Sequence, residues 1–453
     1  MTAMTNAALM QEIDELLAAN PHIKELEVMA VDICGHFFGK RYPINKLKPF
    51  AQDGLAFPMS MFVLSTLGEP LAGMHYGISD GDPDAHFSLI PGSLSVVNWG
   101  KRPRIQALAT SIQNDEAVFF EPRNVLARIL QIFEKHKWYP MVAFELEFYL
   151  FDQARNEQGL IQLVSNPKTG QIDSPTVLST TRIGDFEDII DDIVDACNQQ
   201  NIETGAISSE MGAGQFEINF NHHSDVLRAA DETCLFKRTV VEVAKKHGMM
   251  ASFIAKPMLD QPGNGLHMHV SVIDKKRNNI FDAGKKPHQR LLHAIGGLID
   301  CMPASMSYWA PNINSYRRYT GGTNCAPVSL TWGHENRTVA FRIPLAKDGA
   351  WRVENRVPGA DANPYLAMAV TLAGILHGMQ HKLDPGKPYD QSVNRRDVNL
   401  PMHLTDALGA TIGSEALINI LGRNFVELYC RHRESETFAF EQYISEREYN
   451  WYL

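Results

Sequence analysis

Cysteine is scarce in this chain, and long apolar runs and an excess of positive charge are absent. The six cysteines among 453 residues form no CxxC pair, which argues against a zinc or disulfide framework and suits reduced thiols in a cytoplasm. No segment is apolar for long enough to span a membrane, and no basic, apolar leader opens the chain. The net charge of −10 disfavours nucleic acids and anionic membranes as partners.

The composition is that of a globular protein, with 44% apolar and 21% charged residues. Strands and helices alternate irregularly, which predicts an α+β fold and not a doubly wound sheet. We expect one domain over residues 1–112 and a larger one over 113–453. Helices are expected at 9–20, from Pro122, at 186–197, at 225–246 and from Pro364, and strands at 25–32, 141–151, 202–208, 215–220, 250–256, 266–273, 337–343 and 351–357.

Two glutamates, Glu145 and Glu147, stand two positions apart in the otherwise apolar run from Phe144 to Leu150. Side chains alternate along a strand, so both carboxylates share one face. Two like charges on a core strand are costly unless a cation lies between them. The pair therefore predicts a divalent metal ion, bound with further carboxylates or histidines from other strands.

Other predicted strands repeat this chemistry on one face. In chain order they carry Glu210, Glu217, His267, His269, Ser271, Arg352, Glu354 and Arg356. Oxygen-rich ligation with a single imidazole suits Mg²⁺ or Mn²⁺ and not structural zinc. Each motif alone has a plainer explanation, because such residues on strands are commonly solvated or hydrogen-bonded. The metal hypothesis depends on their coincidence.

Arginines are clustered in the same part of the chain, at Arg317, Arg318, Arg337, Arg342, Arg352 and Arg356. Metal-binding carboxylates with guanidinium groups are what phosphoryl transfer from a nucleotide requires. No GxxxxGK[ST] or GxGxxG segment is present, so metal and arginine would hold the phosphates. Solvated clusters that pair with nearby acids are the alternative.

With these motifs the chain resembles the glutamine synthetase family over most of its length. The matching segments, in the family's order, are Glu145-Leu146-Glu147-Phe148, Glu210, Gly214-Gln215-Phe216-Glu217, His267-Met268-His269, Asn314-Ser315-Tyr316-Arg317-Arg318, Asn336-Arg337, Arg342-Ile343-Pro344, Glu354-Asn355-Arg356 and Asn363-Pro364-Tyr365. The resemblance implies an N-terminal β-grasp domain and a catalytic domain with a curved antiparallel sheet flanked by helices. It also implies a homododecamer of two hexameric rings, with active sites between subunits.

The same resemblance implies roles for individual residues. One metal ion, Mg²⁺ or Mn²⁺, would be held by Glu147, Glu210 and Glu217, and a second by Glu145, His267 and Glu354. L-Glutamate would be bound by Gly263, Asn264, Arg318 and Arg356, and ATP by His269, Ser271, Arg342 and Arg352. Arg337 would stabilise the transferred phosphoryl group, and Arg318 would be the second catalytic residue.

Two acidic residues of glutamine synthetases have no counterpart here. Phe57-Pro58-Met59-Ser60 replaces an acidic motif of the first domain, and Asn324-Cys325 stands where the family has a flap glutamate. In the family these acids bind ammonium and take its proton, so a small cation loses its electrostatic cage. These departures resemble the γ-glutamyl-amine ligase branch, which includes γ-glutamylputrescine synthetases.

The resemblance thus predicts an ATP-dependent ligase that joins the γ-carboxylate of glutamate to a primary amine, in amine or polyamine catabolism or detoxification. An ammonia-using glutamine synthetase is the alternative that the missing acids disfavour. A second alternative is a non-catalytic structural or regulatory oligomer, which the complete set of metal ligands disfavours.

The amine is the least determined substrate. Tyr316, Tyr319, Trp332 and Trp351 lie in the motif-bearing segments and would offer an apolar or cation–π wall if they faced the pocket. The alternative is that they are core residues. Because a diamine would need an acid for its distal ammonium group, the sequence favours an alkyl or aryl monoamine over a polyamine.

Overall fold

Two β-sheets, each flanked by helices, form the protein. The computed structural model describes residues 3–71, 74, 76, 80–113, 116–319, 326–347, 349–393 and 395–453. Strands β1–β7 belong to the first sheet and strands β8–β15 to the second. This arrangement agrees with the predicted α+β class.

The first sheet has the strand order β2-β1-β6-β4-β3, and β5 and β7 also pair with β6. Only β1 and β6 run parallel among its described pairs. Leu9 and Ile13 of the first helix and Leu47 of the second are buried in its core. The strands are β1 (Glu25–Val31), β2 (Phe37–Pro43), β3 (Leu55–Pro58), β4 (Asp84–Leu89), β5 (Ser95–Val97), β6 (Arg104–Gln113) and β7 (Glu116–Ala117).

The second sheet has the order β13-β14-β15-β12-β8-β10-β9, and β11 also pairs with β8. Its described pairs are antiparallel except β13 with β14. The long central strand β8 thus lies between β12 and β10. The strands are β8 (Tyr139–Asp152), β9 (Thr204–Ser209), β10 (Gln215–Phe220), β11 (Met249–Ser252), β12 (Leu266–Ile273), β13 (Trp332–His334), β14 (Phe341–Ile343) and β15 (Val353–Asn355).

The helices surround both sheets, and α7 and α9 form the most extensive helix pair. None of the helices in the described part of the chain combines the length and apolarity of a membrane span. The helices are α1 (Ala3–Ala19), α2 (Leu47–Asp53), α3 (Pro122–Lys135), α4 (Thr180–Asp185), α5 (Glu187–Asn198), α6 (Val226–Lys246), α7 (Gln289–Trp309), α8 (Ile313–Tyr316), α9 (Pro364–His381), α10 (Leu404–Ile412), α11 (Glu415–Leu421), α12 (Arg423–Glu441) and α13 (Glu446–Tyr452).

Most predicted elements occur in the structure, but three strands are shorter, and several elements, among them β2, α2, α4, α7 and β13, were not predicted. The strand predicted at 337–343 is confined to β14, because Oδ1 of Asn336 accepts hydrogen bonds from the backbone and hydroxyl of Thr338 and forms a turn. Those at 250–256 and 351–357 shrink to β11 and β15. Helix α7 and strand β13 were not predicted; Pro303 and the pair Gly296-Gly297 interrupt the helical pattern of α7. The boundary predicted after residue 112 falls at the end of β6 and stays a prediction.

Helix α12 is hydrogen-bonded to loops that follow strands of the first sheet. Nη2 of Arg433 donates to the carbonyl of Ile33 at 3.1 Å, and Nε2 of His432 donates to the carbonyl of Leu64 at 3.0 Å. The backbone N–H of Thr66 donates to the Glu436 carboxylate at 2.8 Å. These contacts, which we call the C-terminal clasp, join residues 368 to 400 positions apart in the chain.

Candidate active site

Strand register on the second sheet brings the predicted ligands together. On the central strand, Glu145 lies opposite His267 of β12, and Glu147 lies opposite Glu217 of β10. Glu354 of β15 lies opposite His269 on β12. Since paired residues of neighbouring strands project from the same face, these carboxylates and imidazoles line one surface of the sheet.

A first group of ligands consists of Glu145, His267 and Glu354. One donor atom of each lies within 4.8 Å of the others. Nδ1 of His267 is 3.3 Å from Oε2 of Glu145 and 3.9 Å from Oε1 of Glu354. Nε2 of His267 is buried and has no hydrogen-bond partner in the described residues. A buried nitrogen without a partner is costly, so the group is suited to a further ligand.

Cationic neighbours keep the carboxylates of this first group ionised. Burial opposes ionisation of Glu145, but hydrogen bonds from His267 and His269 outweigh it and hold the pKa of Glu145 below its usual range. Burial likewise opposes ionisation of Glu354. Nearby positive charges outweigh it, that of Arg356 most strongly, and lower the pKa of Glu354 to about 2. The Nη1 atoms of Arg356 and Arg342 lie 2.5 Å and 2.8 Å from the Glu354 carboxylate.

A second group, Glu147, Glu217 and His267, shares the same histidine and also lies within 4.8 Å. Burial, and then the charges of Glu147 and Glu145, raise the pKa of Glu217 to about 9. Burial and the charge of Glu147 raise the pKa of Glu210 to about 7. Glu210 therefore acts electrostatically on this group, although its own carboxylate lies outside the 4.8 Å set. Carboxylates that repel one another in this way would be relieved by a bound cation.

The donors present fit hard divalent cations. Four carboxylates and the His267 imidazole form the two groups on the sheet face, and oxygen donors of this kind suit Mg²⁺ or Mn²⁺. The two groups overlap at His267 and therefore provide two adjacent positions that could each hold a metal ion. The backbone N–H of Gly265 donates to Oε2 of Glu147 at 2.5 Å and fixes this carboxylate against the loop before β12.

Five of the six arginines named in the sequence, all except Arg317, lie around this face. Arg318 is buried, and its Nη1 donates to the carbonyls of Val357 and Pro358 at 2.6 Å and 3.2 Å. Nε of Arg356 donates to the carbonyl of Arg337 at 3.1 Å. The Arg337 side chain is exposed, and its charge acts on Glu210. Arg337 is thus free to approach an anion at the mouth of the site.

The residues expected at ATP form the other side of the face. Nε of Arg352 donates to Nδ1 of His269 at 3.2 Å, and Nε2 of His269 donates to Glu145 at 2.7 Å. Ser271 follows His269 on the same face of β12. The His222 ring lies with its centroid 6.1 Å from that of His269. Burial and the charge of His269 lower the pKa of His222 to about 4, so this ring is neutral at physiological pH.

The structure argues against the predicted contact between Asn264 and glutamate. Asn264 is fully buried, and its amide group bonds to the carbonyl of Ile254 at 3.0 Å and to Nε2 of Gln215 at 3.0 Å. Its backbone N–H and carbonyl are also bonded, to Ala255 and Ala360. Asn264 therefore anchors the loop from inside, while Gly263 lies against the Arg318 side chain.

The aromatic residues considered for the amine wall are mostly core residues. Tyr316, Tyr319 and Trp332 are buried, and Tyr319 donates its hydroxyl to the carbonyl of Val357 at 2.6 Å. Trp351 is only half-buried. Asn324-Cys325, at the position of the flap, lies outside the described residues. The core alternative is therefore correct for the first three aromatics.

The sequence interpretation missed a buried ion pair that holds the Glu210 loop. Nε of Arg182 donates to Asp173 at 2.8 Å, and its Nη1 and Nη2 donate to the carbonyls of Glu210 and Gly212 at 2.8 Å and 2.6 Å. The same Asp173 carboxylate accepts the N–H of Gly214 at 2.7 Å. Neither residue lies in a strand or shows periodicity, so no local pattern pointed to it.

A second omission concerns the replaced acidic motif of the first domain. Phe57 lies in β3 and Met59 in the helical turn that follows it, and both side chains are buried in the apolar core. The carboxylate of Asp82 nevertheless accepts a hydrogen bond from the Ser60 N–H at 3.3 Å. An acid from another loop thus lies beside the motif, which a comparison of that motif alone could not reveal.

Comparison with known proteins supports the resemblance. The model of the glutamine synthetase catalytic domain matches residues 119–452. The chain is 37% identical to the γ-glutamylputrescine synthetase PuuA of Escherichia coli (strain K12), over 99% of this chain and 95% of that protein. It is 31% identical to a glutamate–isopropylamine ligase of a Pseudomonas species, over 95% of each chain.

A solved structure agrees in fold. The structure described as "Apo GmaS without ligand" has a TM-score of 0.82 and 25% sequence identity, covering 96% of this chain and 98% of that one. The chain is also 31% identical to a glutamine synthetase of Pyrococcus horikoshii, over 89% of this chain and 88% of that protein. The chain therefore belongs to the glutamine synthetase family, in its γ-glutamyl-amine ligase branch.

Proposed function

We propose that this protein is a carbon–nitrogen ligase that uses ATP to join the γ-carboxylate of L-glutamate to an organic primary amine. The observation that carries the proposal is the pair of ligand groups sharing His267 on one sheet face, surrounded by arginines. The two amine-ligase relatives support the choice of an organic amine.

A free carboxylate is a poor electrophile, so the γ-carboxylate first attacks the terminal phosphorus of ATP. This step forms γ-glutamyl phosphate and releases ADP. Divalent metal ions, when bound, offset the negative charge of the phosphate oxygens. Arg318 and Arg356 orient glutamate, and the exposed Arg337 stabilises charge on the transferred phosphoryl group. His269, Ser271, Arg342 and Arg352 bind ATP.

In the second step, the nitrogen lone pair of the amine attacks the acyl carbon, and the bond from that carbon to the phosphate oxygen breaks. Alkylammonium groups have a pKa near 10, so the ammonium group must lose one proton before its nitrogen can attack. The nitrogen loses a second proton as the amide forms. A carboxylate of the site or the departing phosphate accepts each of these protons. The products are the γ-glutamyl amide and phosphate.

The proposal also covers the metal, the assembly and the location. We propose two Mg²⁺ or Mn²⁺ ions at Glu147, Glu210 and Glu217 and at Glu145, His267 and Glu354. Exposed aromatic residues on α12, on α13 and in the loop between them, such as Phe440, Trp451 and Tyr443, support an oligomer, because large apolar patches mark interfaces. A dodecamer of two hexameric rings agrees with this. The free thiols of the described cysteines support a cytoplasmic location.

The amine class needs an experiment of its own. One relative acts on putrescine and another on isopropylamine, by their names, so a diamine and a monoamine are both represented. The preference for a monoamine stays a prediction. We expect alkyl or aryl amines to drive turnover better than ammonia.

Phosphate release from ATP tests the proposed function directly. The assay contains glutamate, Mg²⁺ and one member of a panel: ammonia, alkyl monoamines, aromatic amines, putrescine or spermidine. Release that depends on an organic amine supports the proposal. Release chiefly with ammonia would indicate a glutamine synthetase, and no release with any amine would favour the non-catalytic alternative.

Matched variants connect the activity to the site. Glu145→Ala and Glu354→Ala should assemble but lose amine-dependent phosphate release, because each removes a carboxylate of the first group. Glu157→Ala, which changes an exposed glutamate elsewhere, should retain full activity. Full activity in both site variants would contradict the metal assignment.

A further inference from the structure

Helices α7 and α9 pack unusually closely, well away from the sheet face. A β-carbon added to Gly297 would lie 2.1 Å from the carbonyl oxygen of Gly374 and 2.3 Å from the nitrogen of Gly378. Only glycines allow the two backbones to approach this far. Side chains one turn further along α7 therefore meet side chains of α9 at short range.

Four side chains that can bind metal lie together at this crossing. Asp300, Cys301 and His377 each place a donor atom within 4.8 Å of the other two. Nε2 of His377 is 3.2 Å from Oδ2 of Asp300. His381 follows His377 by one helical turn, and the two ring centroids are 4.7 Å apart. Two histidines at this spacing project from the same face of a helix.

The chemistry of this cluster differs from that of the active site. It combines a thiol, two imidazoles and one carboxylate, whereas the sheet face offers mainly carboxylates. Thiolate and imidazole donors select zinc and similar transition metals, commonly with four ligands in a tetrahedron. Burial, and then the charge of Asp300, raise the pKa of Cys301 to about 12, so metal binding would have to displace the thiol proton.

A second cysteine cluster provides a contrast. Cys34, His432 and Glu436 also lie within 4.8 Å of one another. Here, however, Nη1 of Arg433 donates to Glu436 at 2.6 Å, so the charge of this carboxylate is already offset by a guanidinium group. Cys34 is therefore the matched negative control for Cys301.

We propose that Asp300, Cys301, His377 and His381 form a transition-metal site of the zinc class that links α7 to α9. The proposal does not depend on the ligase reaction, because none of these residues belongs to the sheet face. His377 lies 13 positions after the start of α9, about 20 Å along the helix axis. The site would act as a clamp between two core helices.

Cobalt titration tests the proposal on the full-length protein. The protein is stripped of metal with a chelator and titrated with Co²⁺, and thiolate-to-cobalt charge transfer is followed by absorbance. Cobalt bound by the described carboxylates and His267 of the active site gives no such band, because none of these ligands is a thiol. We expect one thiolate-bound cobalt ion per chain in the wild-type protein and in Cys34→Ser.

The outcome in three variants decides the question. Cys301→Ser should lose the band, and His381→Ala, which changes an exposed side chain, should weaken Co²⁺ binding at least about tenfold. His381→Ala should also retain amine-dependent phosphate release. No band in the wild-type protein, a band that survives in Cys301→Ser, or a band lost in Cys34→Ser would each overturn the proposal.

Discussion

Gly265 offers the sharpest test of where the reacting groups meet. An added β-carbon would lie 2.9 Å from Nη2 of Arg318, 3.0 Å from Nε2 of His267 and 3.4 Å from Oε2 of Glu147. The φ angle of Gly265 lies outside the left-handed region, so alanine imposes no backbone strain. Gly265→Ala therefore places one methyl group between Arg318, which we propose binds glutamate, and the proposed metal ligands His267 and Glu147.

The size of the effect follows from these distances. Ordinary contacts begin near about 3.5 Å, so Arg318 and His267 must each move by at least about 0.5 Å. A displacement of about 1 Å in a reacting group can cost about 100-fold in rate. We expect kcat/KM to fall by about 10- to 100-fold, equivalent to about 1.4–2.7 kcal/mol. The fold should lose only about 1 kcal/mol, since the Arg318 tip can adjust.

Amine-dependent phosphate release and thermal denaturation, measured in parallel, separate the two effects. Gly409→Ala is the control, because this glycine lies in α10 and an added β-carbon meets nothing within 4 Å. It should keep full activity and unchanged or slightly higher stability. A folded Gly265→Ala protein with wild-type kcat/KM would refute the placement of the reacting centre between these three side chains.

Three further predictions concern the loop that supports the site, the protons that metal binding releases, and the contact between α7 and α9. Arg182→Met should weaken Mg²⁺ binding about 10- to 100-fold in calorimetry, because the Glu210 loop loses two hydrogen bonds; unchanged affinity would contradict this role. Adding Mg²⁺ to metal-free protein at pH 7 should release about 1.5 protons, since Glu217, with a pKa of about 9, is protonated and Glu210, with a pKa of about 7, is half-protonated. An indicator dye measures this release, which should fall to about half a proton at pH 9, where Glu210 is ionised and Glu217 is half-protonated, and should vanish about two pH units higher. Gly297→Ala should destabilise the fold by about 1–3 kcal/mol or more in urea titration, because the methyl group overlaps α9; a wild-type midpoint would rule out the close helix contact.

Local alternation was enough to predict which residues share a strand face. Glu145 and Glu147 in β8, and His267 and His269 in β12, could be assigned from period two alone. Their pairing could not, because Glu145 and His267 are 122 positions apart and register depends on the whole sheet. The family resemblance supplied that long-range order.

Loops were the part that the sequence could not determine. Asn264, between two glycines, resembled a ligand-binding turn, yet its hydrogen bonds are all internal. Arg182 and Asp173 support the Glu210 loop through contacts that join separate segments. Such bonds have no periodicity, so they are visible only when the chain is folded.

The C-terminal clasp has a consequence for the order of folding. The segment that carries the first sheet is synthesised early, but its contacts with His432, Arg433 and Glu436 require residues about 370–400 positions later. Chains fold largely from the N-terminus as they emerge, so the first sheet can form long before it is fixed against α12. A nascent or truncated chain that ends before α12 would thus carry a folded but undocked first sheet, exposed to proteases and to the wrong partners.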